Sequence, residues 1–118
     1  MQLDTDREIL EMAAKAAGFK DATWAAEQAC IATLEQKRGF KLFWNPIEDD
    51  GDALRLAVKL DIDLIRESLD DVPSTPTHVK AQSWDLEFSA SEALGDDHYA
   101  ASRRATVRAA AEIGKGMP

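Results

Sequence analysis

The stretch that decides the fold runs from residue 44 to residue 64, WNPIEDDGDALRLAVKLDIDL. Trp44 closes the run Phe40-Lys41-Leu42-Phe43-Trp44, mostly apolar and rich in aromatics, which reads as a strand. Asn45-Pro46 breaks that strand into a turn. Glu48, Asp49, Asp50 and Asp52 then crowd the start of an apolar segment, where carboxylates cap open N–H groups and favour the helix dipole. Over residues 52–60, Ala53, Leu56, Ala57 and Leu60 form one helical face. Leu54 and Val58 widen it, so the expected helix is covered on more than one side. Asp61-Ile62-Asp63-Leu64 alternates polar and apolar, the pattern of a half-buried strand.

Working outward, residues 5–17 read as a helix. Thr5 and Glu8 have capping-box spacing, Ile9, Met12, Ala13 and Ala16 share a face, and Gly18 suits the left-handed position that ends a helix. Residues 22–37 allow two readings. Asp21 could cap an Ala-rich helix carrying Trp24, Gln28 and Ile31 on one face. Alternatively CIATLE and FKLFW are the strands of a hairpin turning near Lys37-Arg38-Gly39. Helix is the reading for 22–29, and 30–36 stays open. Residues 68–77, SLDDVPSTPT, form a loop. In 78–89, Val79, Ala81 and Ser83 share one parity and Trp84, Leu86 and Phe88 the other, so a break near Ser83 is needed to put both sets on one side. A last helix begins near Asp96-Asp97, runs to about Ile113 and is ended by Gly114 and Gly116. The order α, (α or β), β, α, β, β, α describes one α/β domain over residues 1–118, with a small sheet packed by helices.

The 118 residues are 45% hydrophobic and 31% charged, enough for one core and contrary to general disorder. No apolar run approaches the roughly 20 residues of a membrane span, and MQLDTDREIL has no basic stretch leading into an apolar one, so no secretory signal is expected. The net charge of −8 is unevenly placed. Residues 1–60 hold 11 acids and 8 bases, 61–100 hold 10 acids and 2 bases, and 101–118 hold 1 acid and 4 bases. So acidic a chain is repelled by nucleic acid and anionic lipid, while it can dock on a basic protein surface. The exposed-acid candidates for such a surface are Asp61, Asp63, Asp70, Asp71, Asp85 and Glu87. Cys30 is the only cysteine, which excludes an internal disulfide and suits a reducing cytoplasm. Its apolar setting marks it as a small buried hydrophobe.

No catalytic constellation can be read. Glu48-Asp49-Asp50-Gly51-Asp52 lacks the alternation and distal Glu of an EF-hand, and Asp96-Asp97-His98 reads as a helix start. Two His and one Cys argue against a closed zinc site. There is no G-x-S-x-G, G-x-G-x-x-G or P-loop. No cofactor or metal is expected. In the last helix Arg104 and Arg108 fall on a solvated face with Glu112 and Lys115. Arg103 shares the apolar stripe of Tyr99, Thr106, Val107 and Ala110, so it either pairs with a carboxylate of the 48–52 turn (Asp49, Asp50 or Asp52) or snorkels at the stripe's edge. Trp24, Trp44 and Trp84 read as core, unless exposure marks one as a partner surface.

Three blocks carry a resemblance: Trp44-Asn45-Pro46-Ile47-x-Asp49-Asp50-Gly51-Asp52 with Ala53–Leu60; Arg103-Arg104-Ala105-x-Val107-Arg108 with Ala109–Gly114; and Leu10-x-Met12-Ala13-Ala14-Lys15-Ala16-Ala17-Gly18. They are similar to the small bacteriophage and prophage proteins of the phage ABA sandwich domain family. The resemblance implies a three-layer α/β/α sandwich with a mostly antiparallel sheet, a phage or prophage origin and so a bacterial cytoplasm, with no assigned activity. Residues 19–43 are Ala-rich where the family is strand-rich, and the resemblance favours the hairpin for 30–44. The expected role is a non-catalytic accessory protein that binds a phage or host protein, or itself as a homodimer. The alternative is an acidic, nucleic-acid-mimicking inhibitor of a host restriction or CRISPR complex. An enzyme using Asp49, Asp50 or Asp52 with a His is the least supported reading.

Overall fold

Helix α1 (Asp6–Ala16) begins where Thr5 accepts a hydrogen bond from the Glu8 N–H at 3.1 Å. It ends at Gly18, whose φ of +86° needs no Cβ. The Gly18 N–H donates to the Lys15 carbonyl and the Phe19 N–H to that of Ala14, the paired bonds of a Schellman motif. The structure, a computed structural model, describes residues 5–34, 41–68 and 75–118.

After α1 come β1 (Thr23–Ala25), β2 (Cys30–Leu34) and β3 (Lys41–Trp44), an antiparallel sheet in that order. Then follow α2 (Asp50–Lys59), β4 (Ile62–Glu67), β5 (His78–Ser83), β6 (Ser89–Ala93) and α3 (His98–Lys115). Strands β4, β5 and β6 form a second antiparallel sheet. The class is mixed α/β, with two small sheets where the sequence suggests one.

The helix expected over 22–29 is corrected. Residues 23–25 pair with 30–32, and a turn at 26–29 joins them, with Ala29 at φ +50°. Alanine's helix propensity is a weak preference over so short a segment. Pairing sets Trp24 and Trp44 on either side of Ile31, and this row burdens the segment with a flat apolar face that a strand can bury. Trp44 meets Phe19 edge to face, with ring centroids 5.0 Å apart. The 30–44 hairpin is present as β2 and β3; its connection at 35–40 lies outside the described residues, as do residues 69–74 of the expected loop.

Strand β4 continues beyond Leu64 to Glu67, and β5 stops at Ser83. The chain then turns over 84–88 and returns as β6, a strand beyond those expected from the sequence. Val79, Ala81 and Ser83 are buried, whereas Trp84 and Leu86 are exposed, so the two parity sets do not share a covered side.

Helix α3 is the common support. It packs on α1, α2 and all three strands of the second sheet, and α1 in turn packs on the first sheet. Ala105, Val107, Ala109 and Ala110 are fully buried in one continuous cluster with Ile9, Leu10, Ala13, Ile31, Leu56 and Val79. Gly114 does not end α3. It lies inside the helix, where an added Cβ would come 1.9 Å from the Met12 carbonyl oxygen. The stop is at Gly116, the C-cap. Leu54 and Val58 of α2 are exposed, which corrects the expectation of a helix covered on several sides.

Candidate interaction surface

The block 44–55 is held together by its own polar groups. Asn45 accepts the Ile47 N–H on its side chain at 3.2 Å, and its carbonyl accepts the N–H groups of Glu48 and Asp49. Asp49 caps α2, accepting the Asp52 N–H at 2.7 Å. Asp52 accepts the Asn45 N–H at 2.9 Å with one oxygen and the Arg55 guanidinium at 2.7 Å with the other. Asp50 turns outward to Arg103, whose Nη1 donates to its Oδ1 at 2.7 Å and whose Nε donates to the Ile47 carbonyl at 2.7 Å. Asp49, Asp50 and Asp52 are therefore bound to backbone N–H groups and arginines. Among the described residues no group of three or more His, Cys, Asp or Glu is placed to hold a metal ion.

The Arg103 contacts are unequal. Its side chain is 15% exposed and that of Asp50 is 67% exposed. Arg103→Met should cost about 2 kcal/mol, because the Ile47 carbonyl loses its charged donor. Asp50→Ala should cost under about 1 kcal/mol, the range of an exposed pair. Urea unfolding of both variants checks the order, and equal losses would contradict it.

Arg104 and Arg108 do not form the solvated face expected of them. Arg104 pairs with Asp6 at 2.9 Å, and Arg108 bonds Glu92 and, at 2.9 Å, the Ser91 carbonyl. These pairs tie α3 to α1 and β6. Cys30 is buried, and burial, reinforced by the Asp52 carboxylate, pushes its thiol pKa up against a smaller opposing effect of a backbone hydrogen bond at Trp44. That keeps the thiol protonated and unreactive at neutral pH.

The other predicted acids gather at one end of the second sheet. Asp61 precedes β4 with φ +54°, following the C-cap of α2, and its carbonyl accepts the Trp84 N–H at 2.9 Å. Asp63 pairs with Gln82, one row in from the Ile62–Ser83 pair that closes the ladder. Asp85 and Glu87 lie in the β5–β6 turn itself. Asp70 and Asp71 fall outside the described residues.

That turn is cross-braced. The Ser83 hydroxyl donates to Asp85 at 2.6 Å and accepts the Phe88 N–H at 3.0 Å, and the Glu87 N–H also donates to Asp85. The Ser83 N–H donates to the Phe88 carbonyl, and the Leu86 N–H to that of Ser83. The Ser83 hydroxyl first, then the Glu87 N–H, hold the Asp85 carboxyl below its ordinary pKa. This grip is complete above the ordinary carboxylate range and fades as pH falls through the lowered pKa. Leu86 sits at φ +65°, a left-handed conformation unfavourable for a non-glycine side chain.

The result is a braced tip with Trp84 78% and Leu86 72% exposed. Of the three tryptophans, Trp44 is core, Trp24 is half-buried under the Arg7 guanidinium, and Trp84 stands in solvent. The signal for Leu86 lies in Ser83-Trp84-Asp85-Leu86-Glu87, where small polar and acidic residues fit a turn as well as a strand. Two hollows among the described residues hold about 230 Å³ each. One lies beside the tip, lined by Glu87, Phe88, Ser89, Ala90, Arg108 and Glu112. Both fall below the range of roughly 300–1,000 Å³ typical of small-molecule pockets. No helix among the described residues is long and apolar enough to cross a membrane.

Comparison of the chain with protein-family models, with curated proteins and with solved structures finds no match.

Proposed function

We propose that this chain is a phage- or prophage-encoded accessory protein that binds another protein and performs no chemistry of its own. The observation that carries the binding role is the exposure of Trp84 and Leu86 on a turn braced from within. A large apolar side chain in water loses the gain of burial, and a preorganised one loses little entropy when a partner covers it. Tryptophan is also the residue most enriched at the energetic centres of interfaces. The phage or prophage origin, the bacterial cytoplasm and the α/β/α sandwich rest on the three resembling sequence blocks.

A second reading, a nucleic-acid-mimicking inhibitor of a host restriction or CRISPR complex, draws on Asp61, Asp63, Asp85 and Glu87 at one end of the sheet. Trp84 and Leu86 stand among those acids and favour the first reading, since a phosphate mimic has no use for them.

The test is capture from bacterial lysate by wild type and by Trp84→Ala, washed at low and high salt. A protein retained by wild type at both salts and lost from the variant is the expected result. Equal capture by both baits, or none by either, overturns the binding role assigned to the tip. Capture lost at high salt but indifferent to Trp84 shifts the reading to the acidic mimic.

A further inference from the structure

The β5–β6 tip combines two kinds of surface. Trp84 and Leu86 offer apolar area, and four exposed acids lie in the turn or at this end of the sheet: Asp85 and Glu87 in the turn, Asp61 bonded to the Trp84 backbone, and Asp63 one row in from the end of the ladder. The nearby cations are engaged or distant. Arg108, beside Glu87, is bound to Glu92 and the Ser91 carbonyl. Lys59 lies over the Phe19 ring, 5.8 Å from its centroid. Lys80 and Arg66 occupy the fourth and fifth rows of the β4–β5 ladder, counted from the tip.

Resting on the protein-binding reading above, we infer that the tip receives a basic, apolar peptide segment of a partner protein: a Lys- or Arg-rich stretch with large apolar side chains that cover Trp84 and Leu86. Charge complementarity selects this occupant. A second copy of the chain would bring the same acids against these and be repelled, and an anionic lipid surface would be repelled likewise. A neutral apolar segment would leave the acids to be desolvated without partners. A basic segment satisfies both parts of the surface. Its charges steer the encounter, and its apolar side chains, packed on Trp84, hold the complex once formed.

The probe is a library of short random peptides displayed on ribosomes, selected on the wild-type protein and counter-selected on Trp84→Ala. The expected winners carry net positive charge and at least one aromatic or leucine residue. Remade as free peptides, they should bind Trp84→Ala about thirty-fold more weakly, the effect of losing an interface hot spot of about 2 kcal/mol. They should weaken on Glu87→Lys and as salt is raised, without losing all affinity. Leu86→Gly supplies a second variant, because it removes the side chain while relieving the left-handed backbone; it should keep the fold and lose binding. Trp84-dependent winners that are neutral or acidic overturn the basic partner and leave the protein-binding reading standing. A library with no Trp84-dependent winner overturns both.

Discussion

Gly114→Ala is expected to destabilise the protein by about 3 kcal/mol, the reverse of what helix propensity alone predicts. Alanine inside a helix is normally worth about 1 kcal/mol over glycine. Here the new Cβ would stand 1.9 Å from the Met12 carbonyl oxygen and 2.9 Å from its carbon. Those are backbone atoms of α1, so no side-chain rotation relieves the clash, and the two helices must separate. The separation loosens the contact between α1 and α3 in a core cluster where Ala13, Ala14, Ala109 and Ala110 are buried, side chains too small to refill a gap. Thermal or urea unfolding reads the loss. Met12→Ala in the same chain should not restore stability, since the obstacle is the main chain of residue 12. An unchanged midpoint for the single variant would refute this account of the crossing.

Leu10→Ala is expected to cost about 3 kcal/mol, in the range measured for emptying a fully buried leucine site. Leu10 is 1% exposed and belongs to the same cluster as Val107 and Val79. The same change at Leu54, which is 66% exposed, should stay within about 0.5 kcal/mol. The pair separates burial from residue type, and equal shifts at the two positions would contradict the placement of the core between α1 and α3.

The elements that the sequence makes legible are those with a chemical start and stop. Thr5, Asp49 and Asp97 open α1, α2 and α3, each through a side-chain hydrogen bond set by residue type and local spacing, and Gly18 closes α1 in a left-handed conformation. Residues 22–29 are misread because their alanines favour a helix locally, whereas the paired Trp24, Ile31 and Trp44 settle the matter through contacts distant in sequence. Gly114 looks like a helix end for the same reason: a close crossing of two helices leaves the same residue type behind. Arg104 and Arg108 look solvated because Asp6 and Glu92, their partners, lie far away in the chain. The acids of the candidate surface are readable as a charge excess. Their gathering around Trp84 and Leu86 is not, because it depends on the chain reversing after Ser83 instead of extending.

The place of α3 in the chain has a consequence for how the protein is made. The first sheet, α2 and the second sheet all leave the ribosome before the helix on which the structure converges. Until the 18 residues of α3 follow, Val79, Ala81 and Ala90 have no cover from it, and α1 lacks its main neighbour. At about 5–20 residues per second, those residues take about one to four seconds to add. For that interval the second sheet lacks the cover of α3 and keeps free strand edges, features that invite aggregation and chaperone capture. Helix α3 thus closes surfaces made earlier in synthesis.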